Sequence, residues 1–342
     1  MLDETKPEQL TEDLKDDTRS ILLSDRLLAL AKITVIHPDF KRALKLVARC
    51  IKSFGTEGEP ICGRIFGGPG CGKSHLSNRF LRRYPESRKN GTLVMPILRV
   101  HVPSAPTVKG LSTTILDAFG DEKSGSGSEQ QMAIRIRHYA ARCATRLIII
   151  EELQHFVDEE SEKRNIKLAN WFKLRIEETR IPFVVEALPR AKVLFDQDQQ
   201  LRDRFDGPIY LRRFIWYMRA DEPTLANKQF KSYLHKIREV MPFDDCVEFG
   251  GDEMALRFFC ASHGVPRRIG KLLKEATIIA DELQTNTFDM ELLRQAHERR
   301  RGYSMPDVDN PFSKAFDLKQ ADKRLFEDAK KPRRLRGEGV IH

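Results

Sequence analysis

The stretch Gly67-Gly68-Pro69-Gly70-Cys71-Gly72-Lys73-Ser74 has the spacing G-x-x-x-x-G-K-[ST]. It follows the apolar run Ile61–Phe66 and opens a pattern of helical spacing, the setting in which such a loop cradles phosphate. Its glycines let successive backbone N–H groups turn toward one anion, through conformations that a Cβ disfavours. The helix that follows adds the positive end of its dipole. Lys73 is placed to reach the β- and γ-phosphates of a nucleotide and the Ser74 hydroxyl to ligate Mg²⁺. The binding segment runs from Gly67 through His75. Cys71 reads as a small residue tolerated in the loop rather than as a redox group.

Cleavage of a phosphate bond needs two more components. The first is acid at the carboxyl end of a buried strand, and Leu147-Ile148-Ile149-Ile150 followed by Glu151-Glu152 supplies it. A continuous apolar run marks a strand buried on both faces, and ligands of open α/β sheets sit where such strands end. Glu151 would serve the Mg²⁺ shell and Glu152 would polarise the attacking water; the plain alternative is a strand end facing solvent or capping a helix. The second component is positive charge brought to the departing γ-phosphate. Leu201-Arg202-Asp203-Arg204-Phe205 lies just ahead of the last strand, where a neighbouring subunit could present an arginine. Gly264-Val265-Pro266-Arg267-Arg268-Ile269 begins a later helix that could fold over the nucleotide.

The elements that must position these groups follow from periodicity. Apolar runs at 61–66, 93–102, 147–150, 181–188 and 209–211 alternate with helical patterns at 74–83, 107–119, 128–144 and 165–179. This alternation predicts an α/β fold, a parallel sheet covered by helices on both faces. Two short helices precede it. After Asp221 the strands stop, and 223–240, 251–262, 267–282 and 287–300 read as helices of a small all-helical lid domain. Gly125–Ser128 reads as a flexible loop. The chain thus divides into an acidic mobile arm (1–23), N-terminal helices (24–55), the nucleotide-binding core (56–220), the helical lid (221–300) and a basic tail without periodicity (301–342).

Composition excludes several classes. No apolar run approaches the roughly 20 residues of a membrane span, and the acidic N-terminus has no apolar signal region, so a cytoplasmic protein with no membrane partner is expected. Six cysteines without a C-x-x-C pair fit reduced thiols better than zinc or disulfides. The 59 Lys+Arg exceed 50 Asp+Glu by nine. Seven acids crowd the first seventeen residues and five basic residues sit in Lys330–Arg336, so the surplus is partly a difference between two tails. It is weak evidence for nucleic acid.

Several blocks occur together in the order seen in AAA+ ATPases: the Gly67–Ser74 loop, IIIIEE, IPFVVEALPRA, DQQLRDRF and GVPRRI. SDRLLALAKITVIHPDFKRALKLV and MPILRVHVPSAPTVKGLSTTILDAFG further resemble TnsC/TniB-type transposition regulators, and the resemblance covers about 24–300. It implies an AAA+ P-loop NTPase that binds ATP and Mg²⁺ and assembles as a homo-oligomeric ring or filament on double-stranded DNA. Such a protein links a TniQ-like targeting protein to a DDE transposase of the TnsB/TniA type; a CRISPR-guided complex is among the targeting machineries allowed. By the same resemblance Glu151 and Glu152 match the Walker B pair, Arg204 the arginine finger and Arg267 the sensor-2 position. Two departures stand out. Glu151 occupies a position usually held by Asp, and Leu188 one where a polar sensor side chain is common, so slow hydrolysis is expected.

A ring around DNA would touch phosphates through loop cations or helix N-termini. The candidates are Thr107 and Lys109 at a helix start, and Lys163 and Arg164 in the polar loop after Glu160; plain solvation is the alternative for each. Arg135 and Arg137 read as an ion-paired exterior face, His155 as a surface or packing histidine, and Trp171 and Trp216 as core. Two rival functions remain: another AAA+ switch, initiator-like or secretion-associated, and a P-loop small-molecule kinase. An initiator is expected to carry a winged-helix domain beyond the lid, for which the tail leaves no room.

Overall fold

The computed structural model describes residues 25–103, 106–157, 162–216, 218–219, 222–223, 225–301 and 309–330. The acidic arm and the residues beyond 330 lie outside them. Two compact units result, Ile36–Arg213 and a second made of Phe214–Lys330 with the described residues up to Val35.

The first unit is built on strands β1 (Cys62–Gly67), β4 (Ile97–His101), β5 (Leu147–Glu151), β6 (Phe183–Ala187) and β7 (Phe205–Leu211), in the order β4-β5-β6-β1-β7. All neighbouring strands in this sheet are parallel. Because side chains alternate across a strand, Ile148, Ile150 and Val185 enter one apolar layer while Leu147, Ile149 and Val184 enter the other. Helix α2 (Pro38–Ser53) covers the second layer with Phe40, Ala43, Leu46, Val47 and Cys50, and helix α3 (Lys73–Arg83) adds Leu76 and Phe80. Helices α4 (Val108–Ala118), α5 (Glu129–Arg142) and α6 (Glu162–Thr179) cover the first. The α/β expectation therefore holds, with one strand divided. The run 93–102 becomes β3 (Thr92–Val94), paired with β2 (Ser87–Lys89) in a hairpin, and β4. Pro96 lies between them and has no N–H for a ladder. Ser128 ends the GSGS segment in a defined role, closing a capping box with Gln131 at the start of α5.

The second unit is helical, with α9 (Leu225–Arg238), α10 (Asp252–Ser262), α11 (Pro266–Glu282) and α12 (Met290–Arg301) around Phe230, Phe258, Leu273 and Leu293. The lid expected after residue 221 is not free of strands. Asp245–Cys246 and Thr287–Phe288 form a two-residue parallel pair, too short to show as periodicity. Helix α1 (Asp25–Lys32) belongs here rather than with α2, through the Arg26–Asp281 ion pair at 3.2 Å. Residues 309–330 are not an unstructured tail. Phe312 is 1% exposed against Phe258 and His297, Arg257 donates to Pro311 O and Ser313 O, and Leu318–Lys330 is helical (α13). Over 309–317 a single buried aromatic and backbone capture by an arginine leave no periodic signature, whereas Leu318, Ala321 and Leu325 of α13 recur at helical spacing.

Candidate functional site

The loop after β1 takes the conformation its glycines permit. Gly70 and Gly72 have φ of 79° and 104°, a region costly to any residue with a Cβ. At Gly67 the constraint is space: a Cβ there would stand 2.6 Å from Leu211 O of β7. Gly72 caps α3, so the helix begins at Lys73 and its free N–H groups face the loop. Lys73 is buried, and its Nζ donates to Gly67 O at 2.7 Å and Gly68 O at 3.4 Å. The ammonium is thus held inside the loop by its carbonyls, where an entering phosphate would take their place. Ser74 and His75 are half-buried in the first turn. Burial and the nearby Arg82 and Arg79 lower the His75 pKa, and its ring lies 5.8 Å from Phe40. Cys71 is buried among the α2 side chains, in keeping with a packing role.

Three carboxyls meet this loop. Glu151 ends β5 at 8% exposure; its Oε1 has no hydrogen-bond partner among the described residues and its Oε2 lies 3.9 Å from His101 Nδ1. Glu152 follows with a left-handed backbone, φ 60° and ψ 34°, which ends the strand and re-aims its side chain. Its Oε2 accepts a hydrogen bond from Gln154 Nε2. The third, Glu186 of β6, escaped sequence reasoning. It pairs with Glu151 on one side and Ile65 on the other, is 1% exposed, and accepts from Ser77 Oγ of α3 at 2.7 Å. Burial pushes its pKa up to about 8; the Ser77 bond opposes that, Glu151 adds to it, and Lys73 opposes it. A signal was available, since an acid inside the apolar run of a strand buried on both faces needs a partner or a task. Leu188 follows β6, and its backbone N–H, not its side chain, is the polar group there: it donates to Gln154 Oε1 at 2.9 Å.

The remaining candidates lie elsewhere. Arg204 ends helix α8 (Gln199–Arg204), immediately before β7. Phe205 pairs with Cys62 at the start of β1, so Arg204 stands at the edge of the sheet opposite its own loop, about 20 Å of strand away. There it donates to Lys173 O at 3.0 Å and lies 3.3 Å from Glu59 Oε1. Arg267 is exposed in the first turn of α11 in the second unit.

The cations proposed for DNA are not equivalent. Thr107 caps α4 by accepting from Gly110 N at 2.9 Å, and Lys109 is exposed in the first turn. Lys163 and Arg164 do not lie in a loop; helix α6 starts at Glu162 and holds both in its first turn. Lys163 is exposed, whereas Arg164 donates to Pro106 O at 2.6 Å and stands 5.6 Å over the Phe156 ring. Its guanidinium ties α6 to the segment before α4. Arg135 is ion-paired with Asp121 at 2.7 Å, and Trp171 and Trp216 are buried.

A glycine-rich loop after β1, acids toward the ends of β6 and β5 and an arginine before β7 coincide with a known family. The model described as "Bacterial TniB protein" matches residues 29–215, more than half of the chain. The chain belongs to the TniB family. Among solved structures this TniB-family protein is similar to the Aeropyrum pernix ORC2 protein in ADPNP–ADP complexes (14% identity, 91% of this chain and 85% of that one, TM-score 0.53). It is also similar to the Aeropyrum pernix ORC1 protein in complex with DNA (17% identity, 82% and 72%, TM-score 0.52). At these identities the likeness is one of fold, that of AAA+ ATPases. No curated protein sequence matches significantly. Among the described residues no helix is long and apolar enough to cross a membrane.

Proposed function

We propose that this TniB-family protein is an ATP-dependent regulator of DNA transposition whose ATP-bound form assembles on duplex DNA and recruits transposase. The observation that carries the reading is the separation of Arg204 from its own phosphate loop by the full height of the sheet. An arginine there can reach only the nucleotide of a neighbouring copy, so assembly and hydrolysis become linked.

Within one chain, the N–H groups of the loop and the Lys73 ammonium bind the phosphates. Ser74 and Glu151 fit Mg²⁺, a cation that takes hard oxygen donors and keeps several waters; the buried Glu151 Oε1 without a partner is a group that such an ion would satisfy. When bound, Mg²⁺ supplies charge neutralisation of the phosphate oxygens. Glu152 accepts the proton of the attacking water as the bond from the γ-phosphorus to the bridging oxygen breaks, leaving ADP and phosphate. Arg204 of a neighbour stabilises the charge that develops, and Arg267 is the residue at the sensor-2 position of the family pattern. The lone Leu188 side chain and the longer Glu151 favour slow turnover, suited to a protein whose ATP state marks a site. A TniQ-like protein, alone or with a CRISPR-guided complex, selects the target, and a TnsB/TniA-like DDE transposase is the recruited partner. Of the four candidate DNA contacts, Lys109 and Lys163 are the exposed cations that would meet DNA phosphates.

Fluorescence anisotropy of labelled duplex DNA tests this reading. Binding should require ATP and Mg²⁺ and disappear in the Lys73→Ala chain; equal binding with and without ATP contradicts it.

A further inference from the structure

Gln154 is 2% exposed in the 3-10 turn Leu153–His155 that follows Glu151 and Glu152. Both ends of its amide are engaged. Nε2 donates to Glu152 Oε2 and Oε1 accepts from Leu188 N at 2.9 Å. An ionised carboxylate only accepts and a backbone N–H only donates, so the two partners fix which end of the amide is nitrogen. His155 Nε2 lies 3.9 Å from that carboxylate oxygen, beyond hydrogen-bond reach. The left-handed backbone of Glu152 turns its side chain back over the turn that carries Gln154. The flanking Leu153 and Phe156 are fully buried, which anchors the turn in the core.

The result is a two-bond relay from a carboxylate at the end of β5 to the first residue after β6. We propose that Gln154 is a positioning residue for nucleotide hydrolysis, fixing the Glu152 carboxylate against the Leu188 end of β6. This rests on the reading of the loop as an ATP-hydrolysing site. The physical need is specific. A carboxylate that takes a proton from water must keep one oxygen in a set direction, and a rotating side chain on an exposed turn does not. A polar side chain at position 188 would offer a direct contact from the neighbouring strand end; leucine offers none. The amide of Gln154 spans that gap through the Leu188 backbone, which no side-chain substitution at 188 removes.

Two variants of the full chain separate positioning from packing. Gln154→Leu removes both bonds and keeps the volume. Gln154→Glu keeps an acceptor for Leu188 N–H but sets a second carboxylate against Glu152, so it is assayed at mildly alkaline pH. Leu188 amide exchange, measured without nucleotide, should rise about tenfold or more in Gln154→Leu and stay near wild type in Gln154→Glu. Both should lose about 10- to 100-fold in kcat with KM for ATP within about twofold. Unchanged Leu188 exchange in Gln154→Leu overturns the relay. Wild-type kcat in either variant, while Lys73→Ala is inactive, overturns the positioning role alone. A wild-type chain that hydrolyses no ATP overturns the role together with the hydrolysis reading.

Discussion

Glu186 pairs in register with Glu151 across the ladder between β5 and β6, and both carboxyls are buried beneath the helix that the phosphate loop opens. A carboxyl buried this deeply does not ionise cheaply, so Glu186 holds its proton in the folded state. The Glu186 carboxyl, ordinarily near 4.5, is pushed up to about 8, first by burial. The folded chain therefore binds more protons than the unfolded chain between these values, and its stability falls as pH rises through that window. Glu186→Gln keeps an acceptor for Ser77 and carries no charge. Its thermal denaturation should match wild type at acidic pH and exceed it at alkaline pH, by on the order of a few kcal/mol. Parallel curves across the window contradict the assignment.

Lys73 donates to two loop carbonyls that a bound phosphate would replace. Lys73→Ala should weaken ATP binding by about 10- to 150-fold, the worth of a hydrogen bond to a charged group. Titration with a fluorescent ATP analogue measures it, and unchanged affinity refutes the loop assignment.

Arg204 faces away from its own loop. Arg204→Ala should leave ATP affinity intact and lower hydrolysis by about a thousandfold in the assembled state. Mixing Arg204→Ala chains with Lys73→Ala chains should restore part of the activity, because each supplies what the other lacks. Turnover no higher than that of the separate variants counts against action in trans.

In the helical unit His297 is buried against Phe312, with neither ring nitrogen hydrogen-bonded among the described residues. Burial, with Arg301 and Arg300 nearby, lowers its pKa from 6.5 to about 4. The unfolded chain takes up the proton first, so stability present above 6.5 is lost as pH falls toward 4. His297→Leu should lose less stability over that interval; circular dichroism melts at the two ends of it decide the matter.

The phosphate loop, the IIIIEE strand end and the five-stranded core were legible in the sequence because each rests on local spacing or on a continuous apolar run. Glu186 and Gln154 were not recognised, since each acts through a neighbour supplied by register or by a turn: Ser77 and Glu151 for the first, Leu188 N for the second. The contacts of Arg164 escape the sequence for the same reason. A basic residue in a polar stretch suggests solvent, whereas here it meets Pro106 O and the Phe156 ring. Over 309–317 one buried Phe312 and the Arg257 contacts carry no period, whereas α13 carries Leu318, Ala321 and Leu325 at helical spacing and was legible in principle.

On the proposed function, nucleotide binding drives assembly of this TniB-family protein on DNA. Negative-stain electron microscopy of the full chain with duplex DNA, Mg²⁺ and a slowly hydrolysed ATP analogue tests it most directly. Rings or filaments along the DNA, absent with ADP and absent for Lys73→Ala, are the predicted result. Monomers in every condition, or assemblies indifferent to nucleotide, would contradict it.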